Sequence, residues 1–213
     1  MNILLLDTAS KKIEFAYNKK GDFSILKTLE EEKNADDLVY EIKKAFDGEG
    51  FSFQEIDFVG LANGPGSFTG LRIGSAIAKG ICSGSGAKLI EVSSLDIIAM
   101  KYAGVADKQD ELVTCMIFSN SRTGEFYYAE YKGVERISDY KTAVLDEIIK
   151  TNSIFIINEK TDYSFPEGLK VVNLSEKSDL QSLYSITKKL IEEGKISDYR
   201  LSEPFYMKRF YGD

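Results

Sequence analysis

The sequence predicts a mixed α/β protein of two lobes, residues 1–104 and 105–213, and three observations predict it. Each half begins with strand-like runs and ends with helical ones. A glycine-rich turn, Gly64-Pro65-Gly66-Ser67-Phe68-Thr69-Gly70-Leu71-Arg72-Ile73-Gly74, joins an apolar run to a helical pattern. A polar, glycine-containing stretch, residues 104–111, separates the two halves and reads as a linker.

Taken in order, Ile3-Leu4-Leu5-Leu6 reads as a buried strand ending at Asp7-Thr8-Ala9-Ser10. Residues 13–17 and 23–29 alternate apolar and polar side chains around the turn Lys19-Lys20-Gly21-Asp22, which predicts three antiparallel strands in a row. Leu38, Val39, Ile42, Ala45 and Phe46 form one helical stripe, ended by Gly48 and Gly50. Residues 56–62 read as a strand, 71–82 as a helix and 88–92 as a strand. Ser93 with Asp96 is a capping-box-like start to a helix running through Tyr102.

The pattern then restarts. Residues 112–118 and 125–131 read as strands around the turn Ser121-Arg122-Thr123-Gly124. Val144, Leu145, Ile148 and Ile149 mark a helix, and residues 154–157 and 170–174 two strands. Ser178 with Gln181 caps a helix whose Leu183, Ile186, Leu190 and Ile191 face inward, with Gly194 after it.

Bulk properties narrow the function. At 213 residues, 43% hydrophobic and 29% charged, the chain has an ordinary globular composition. A net charge of −7 and a pI of about 4.9 repel phosphate backbones, so autonomous binding to nucleic acid is not expected. There is no histidine, which removes most histidine-based catalysis and zinc chemistry. Cys82 and Cys115 sit in apolar runs with no CxxC, as suits a reducing cytosol. The first apolar run stops at Asp7, too short for a signal peptide or a membrane span. The expectation is a cytoplasmic protein without membrane association.

Few residues carry visible chemistry. Asp7 and Thr8 at a strand end read either as a metal–phosphate site or as a capped turn. The turn containing Gly64, Gly66 and Ser67 is neither a Walker A loop, lacking Gly-Lys-Ser/Thr, nor a dinucleotide fingerprint, since Gly70 comes one position late. Gly70, Gly74 and Ala78 recur on one helix face beside the ridge Ile73, Ile77 and Ile81. Glycine in a helix interior costs about 1 kcal/mol, so a second backbone is expected against that face, from this chain or from a partner. Arg72 near the helix start opposes the dipole, and a carboxylate or phosphate partner is expected for it. Glu30-Glu31-Glu32 reads as solvated surface, and the tail Phe205-Tyr206-Met207-Lys208-Arg209-Phe210-Tyr211 as a segment docked on the body.

The 64–74 turn closely resembles the signature of the TsaB (YeaZ) family. Leu5-Leu6-Asp7-Thr8-Ala9-Ser10, Arg122-Thr123-Gly124-Glu125-Phe126-Tyr127 and Glu203-Pro204-Phe205-Tyr206-Met207-Lys208 fit it less specifically. The resemblance implies an actin-like, ribonuclease-H-type fold of two lobes. It implies a non-catalytic subunit in the synthesis of N6-threonylcarbamoyladenosine in tRNA, one that needs no cofactor and binds and stabilises a TsaD-like transferase. A TsaE-like ATPase joins through the complex, tRNA is met only indirectly, and the chain alone is a homodimer. Without histidine the chain cannot be the TsaD-like member. Asp7, Thr8, Gly64, Gly66 and Ser67 are then a vestigial phosphate site. The first two helices are the partner surface, through Leu38, Ile42, Phe46, Gly70, Arg72, Ile73, Gly74, Ile77, Ala78 and Ile81. On this reading Gly74→Leu breaks association without unfolding the chain. Two departures from the family pattern, Asn34-Ala35-Asp36-Asp37 and Asn120, remove further polar groups. The alternatives are an active ATPase or small-molecule kinase of the same fold, with Asp7 and Thr8 on magnesium; a peptidase, which the missing histidine disfavours; and direct tRNA binding.

Overall fold

The computed structural model describes residues 1–29, 37–106, 110–150 and 153–207. β1 (Asn2–Asp7) lies in the middle of a five-stranded sheet. β2 (Glu14–Lys19) and β3 (Asp22–Thr28) extend the sheet antiparallel on one side. β4 (Phe58–Ala62) and β5 (Lys88–Val92) extend it parallel on the other, giving the order β3-β2-β1-β4-β5. Both faces of β1 are covered, which is why its apolar run is unbroken.

The two faces take alternate side chains. Leu4 and Leu6 point toward α1 (Leu38–Glu49) and α2 (Phe68–Ser85), while Ile3 and Leu5 point toward α5 (Leu180–Glu192) and Ile97 of α3 (Ser94–Ala103). Leu38, Ile42 and Phe46 of α1 are all sealed in the first of these cores. The Phe46 ring stacks at 4.9 Å on Phe53, in a short 3₁₀ turn, Phe53–Glu55. Burying each such side chain contributes about 1.5–3 kcal/mol.

The second sheet repeats the plan. β6 (Leu112–Asn120) pairs antiparallel with β7 (Glu125–Lys132) and parallel with β10 (Ile154–Ile157), which pairs parallel with β11 (Val171–Asn173). β8 (Glu135–Arg136) and β9 (Lys141–Val144) both pair with β7, and α4 (Leu145–Ile148) follows β9. The series β2-β1-β4-β5 therefore recurs as β7-β6-β10-β11. α3 lies between the sheets: Ile97 packs on the first, while Leu95, Ile98 and Tyr102 pack on the second. α5, although late in the chain, packs on the first sheet, where its Thr187 lies against Gly60 of β4.

Several local expectations change. Gly48 lies inside α1, and the left-handed residue that ends the helix is Gly50. Residues 141–144, expected to lead into a helix, pair with β7 instead, leaving α4 a single turn. Ser93 caps α3 by accepting from the Leu95 N–H at 3.3 Å, but Asp96 does not close a capping box. Its carboxylate accepts from the hydroxyls of Tyr131, at 2.7 Å, and Tyr140, at 2.9 Å, in the second half of the chain. α5 starts from Asp179, which makes no side-chain cap; Ser178 accepts from the Leu180 N–H. Cys82 and Cys115 are buried free thiols. Among the described residues no helix is long and apolar enough to cross a membrane.

Candidate functional site

Parallel strands leave their carboxyl ends open to a crevice, where the fold allows polar groups to gather. Here Asp7 ends β1, Ser119 lies near the end of β6 and Asn158-Glu159 follows β10. All four line one cleft of about 400 Å³ between the sheets. Ser67, at the start of α2, Ser94, at the start of α3, and Asp179, before α5, add to its polar lining, as do Ser10, Lys11 and Tyr127.

The charges of the cleft are uneven. Lys101 of α3 is buried, and its ammonium donates to Asp179 Oδ1, Asn158 Oδ1 and the Lys177 carbonyl, each at 2.6 Å. Asn158 Nδ2 donates back to both Asp179 oxygens. Burial pushes the Asp179 carboxyl up while Lys101 and Asn158 pull it down again; three acceptors on the ammonium argue for a charged pair. Asp179 N–H donates to Glu14 Oε2 of β2 at 2.9 Å, so this cluster ties α3, α5 and both sheets together. Asp7 has no such cation. Burial, then the nearby Asp179, raise its carboxyl to about 8, against the Ala9 N–H that donates to Oδ1. Glu159 is also pushed up, chiefly by burial, while the Phe118 N–H at 2.8 Å opposes the shift.

The expected phosphate-site residues take other parts. The Thr8 hydroxyl is fully buried and donates to the Gly70 carbonyl at 2.8 Å, joining the β1 end to α2. Gly66 lies so close to the Ala9 carbonyl that a Cβ would collide with it, and Ser67 N–H donates to that carbonyl at 2.7 Å. Gly64, at φ +106°, faces Leu71 and the Phe205 carbonyl. Ser67 caps α2. The turn thus folds onto its own chain, and of the five residues only Asp7, Gly66 and Ser67 line the cleft.

The small-residue face needs a correction. Cβ atoms on Gly70 and Gly74 would collide with Thr8, and Ala78 is fully buried in the first core. The backbone against Gly70, Gly74 and Ala78 is this chain's own, so Gly74→Leu is a folding lesion and not a probe of association. Leu38, Ile42 and Phe46 likewise face inward. Arg72 is exposed with its guanidinium 5.3 Å from the Phe68 ring centre, where a carboxylate or phosphate was expected.

What remains outward is a second small-residue row on α2. Ala76, Gly80 and Gly84 are exposed, and nothing lies within 4 Å of a Cβ placed on Gly80 or Gly84. An apolar groove of about 340 Å³ runs between α1 and α2 here, lined by Val39, Ile42, Phe53, Ile77, Gly80 and Ile81. Val39 is 53% and Tyr40 64% exposed, high for apolar side chains on a well-packed helix. Ile77 and Ile81 of the groove are half-buried, as is Ile73 one turn earlier on α2, which packs against the first core.

The C-terminal segment touches the first sheet. Phe205 N–H donates to the Asn63 carbonyl, Asn63 Nδ2 to the Glu203 carbonyl and Ser202 Oγ to Glu91. The acidic run 30–32, the Asn34-Ala35-Asp36 departure and tail residues 208–211 lie outside the described residues, as does part of the 104–111 linker.

The cleft alone was partly legible. Asp7 stands out at a strand end, but Ser94, Glu159 and Asp179 reach it only through tertiary folding. The one local signal for Glu159 is a polar pair directly after the apolar strand 154–157.

Comparison with known proteins gives these features a lineage. The family model described as TsaD, tRNA N6-adenosine threonylcarbamoyltransferase, matches residues 30–199. The tRNA threonylcarbamoyladenosine biosynthesis protein TsaB of Escherichia coli K12 is 30% identical over 132 residues, 62% of this chain and 55% of that protein. TsaB of Haemophilus influenzae is 27% identical over 140 residues, 66% of this chain and 58% of that one. The chain thus matches just over half the length of these curated relatives. A Pseudomonas aeruginosa crystal structure, described as an uncharacterized protein with similarity to peptidase YEAZ, superposes with a TM-score of 0.74 at 17% identity. It covers 97% of this chain and 99% of its own. YeaZ from the same organism gives 0.71, also at 17% identity, over 96% and 100%. The fold is therefore the actin-like, two-lobed arrangement of mixed α/β sheets. The chain belongs to the TsaD threonylcarbamoyltransferase family, in its TsaB/YeaZ group.

Proposed function

We propose that this chain is a non-catalytic subunit in the synthesis of N6-threonylcarbamoyladenosine in tRNA, and that it binds a TsaD-type transferase through the outer faces of α1 and α2. The observation that carries the reading is the open groove between these helices, with glycines along α2 that let another backbone approach. Apolar burial with close helix packing is a common basis for stable association. Membership of a family whose model is a transferase, and the names of the TsaB relatives, support the pathway and the partner. The cleft supports the non-catalytic role. The turn beside it is closed on its own chain through Thr8 and Gly66, and Lys101 is spent on Asp179. The cleft wall carries the carboxyl groups of Asp7, Glu159 and Asp179 with Lys11 as its one cation among the described residues, a poor cradle for a nucleotide phosphate. A TsaE-type ATPase would then meet this chain within the complex, and the same groove would serve self-association when the transferase is absent.

Gly80→Leu tests the surface, because the added side chain enters open space and helix propensity favours it. The expected outcome is an unchanged or raised Tm with at least about a tenfold loss of affinity for the transferase, roughly 1.4 kcal/mol, read by co-elution and calorimetry. Undiminished co-elution of the variant overturns the assignment of the surface. Threonylcarbamoyl transfer to tRNA by the chain alone overturns the non-catalytic role.

A further inference from the structure

We propose that the cleft between the sheets binds a small organic ammonium ion bearing an apolar or aromatic group, with Asp7 and Ser94 as its polar anchors. This reading is independent of α1/α2 docking, so either can fail alone. Asp7 is 4% exposed; its Oδ1 accepts from the Ala9 N–H, and Oδ2 has no partner among the described residues. Ser94 is 8% exposed, and its Oγ is buried without a partner. Both side chains line the same cavity of about 400 Å³. A buried polar atom left unpaired is costly, and a ligand that reaches the Ser94 hydroxyl while meeting the open Asp7 oxygen beside it in the same cavity satisfies both.

The chemistry of the ligand follows from what is already satisfied. Asp179 is held by Lys101 and Asn158, and Glu14 behind it by the Asp179 N–H, Thr28 and Lys12. Asp7 and Glu159 remain on the cleft wall, with Lys11 the other charged residue of the lining. A phosphate would enter among the carboxyl groups of Asp7, Glu159 and Asp179, and the glycine-rich turn is closed on Ala9 and Thr8. A primary ammonium brings three donors and no acceptor, matching carboxylate and hydroxyl oxygens. Ile97, Ile98, Ile117 and Phe118 supply the apolar wall for its hydrocarbon part.

A cation beside Asp7 favours the ionised carboxylate, so binding releases a proton. The groups that act on Asp7 are Asp179 and Glu14, which raise its carboxyl, and Lys101, which lowers it. Glu159 and Lys11 share the cavity lining.

The probe is 2-phenylethylamine, titrated into the full chain by calorimetry and NMR, with 2-phenylethanol as its uncharged counterpart and magnesium ADP as competitor. Saturable binding is expected that tightens about tenfold from pH 6 to pH 7 and levels above about pH 8. The alcohol is expected to bind at least about tenfold more weakly. Asp7→Asn should remove the pH dependence and weaken binding about tenfold or more, and Ser94→Ala should weaken it a few-fold. No saturable signal at about 20 mM amine, equal binding of the alcohol, or displacement of the amine by magnesium ADP overturns the proposal. If Asp7→Asn does not fold, the comparison of amine with alcohol and the Ser94→Ala variant decide the matter.

Discussion

Gly70 and Gly74 show how two opposing costs are ranked at one residue. Helix propensity alone says that alanine at Gly70 should gain about 1 kcal/mol. The Thr8 carbonyl occupies the space that a Cβ would take, and it is backbone, so it cannot swing aside. Overpacking of this kind costs about 1–3 kcal/mol. Gly70→Ala is therefore expected to be destabilising by up to about 2 kcal/mol net, read as a lowered urea midpoint with an unchanged slope. Gly74→Leu, which must also displace the Thr8 hydroxyl, should cost more. Asp7 offers a second test at this scale. In the unfolded chain its carboxyl titrates near 3.9, and in the fold burial raises it to about 8. Between those values the folded state holds more protons, so this residue's contribution to stability falls as pH rises from 4 to 8 and stays low above. Asn cannot ionise and still accepts from the Ala9 N–H. The Tm difference between Asp7→Asn and the parent should thus be small at pH 4.5 and grow steadily to pH 8. A difference that is flat with pH would mean that the carboxyl titrates normally.

At the scale of elements, α2 explains both what the sequence disclosed and what it withheld. Spacing alone tells that Gly70, Gly74 and Ala78 share one face, and that Ala76, Gly80 and Gly84 share another. It does not tell which face meets the sheet, because both rows are small. The structure turns the first row inward, onto Thr8 and Leu61, and leaves the second exposed. β5 and β10 were legible to the residue because each is a short apolar run with clear boundaries. β9 was not: Lys141-Thr142-Ala143-Val144 acquires its strand from pairing with β7, a non-local cause. The packing of α5 on β4 is similar in kind. Gly60 leaves a gap that Thr187 and Leu5 fill, and a Cβ there would lie 2.5 Å from the Thr187 hydroxyl. Gly60→Val is expected to push α5 off the first sheet, with a loss of about 2–3 kcal/mol and faster hydrogen exchange confined to α5 and its neighbours. Exchange that rises uniformly would instead point to global weakening.

At the scale of the whole molecule, the question is what holds two sheets of like plan in one arrangement. Apolar packing of α3 on both supplies area but little direction. Direction comes from polar links. Asp96 receives Tyr131 and Tyr140 from the second half, and Lys101 gathers Asp179, Asn158 and Lys177 while Asp179 reaches Glu14. The Lys101–Asp179 pair is 4% and 6% exposed at its side chains, so water cannot replace a missing partner. Removing one partner of such a pair typically costs about 3–5 kcal/mol, whereas replacing both by apolar groups is often far milder. Lys101→Met should therefore lose about that amount in urea denaturation at pH 7, because Asp179 is left charged and buried. Lys101→Met with Asp179→Leu should recover part of the loss. The recovery stays incomplete because Asn158 then loses both its acceptor on Asp179 and its donor on Lys101. A double-mutant cycle measures the coupling directly. A coupling above about 1 kcal/mol assigns the join between the sheets to this buried pair. Strict additivity would leave the orientation of the lobes to α3 packing and the tyrosine links to Asp96.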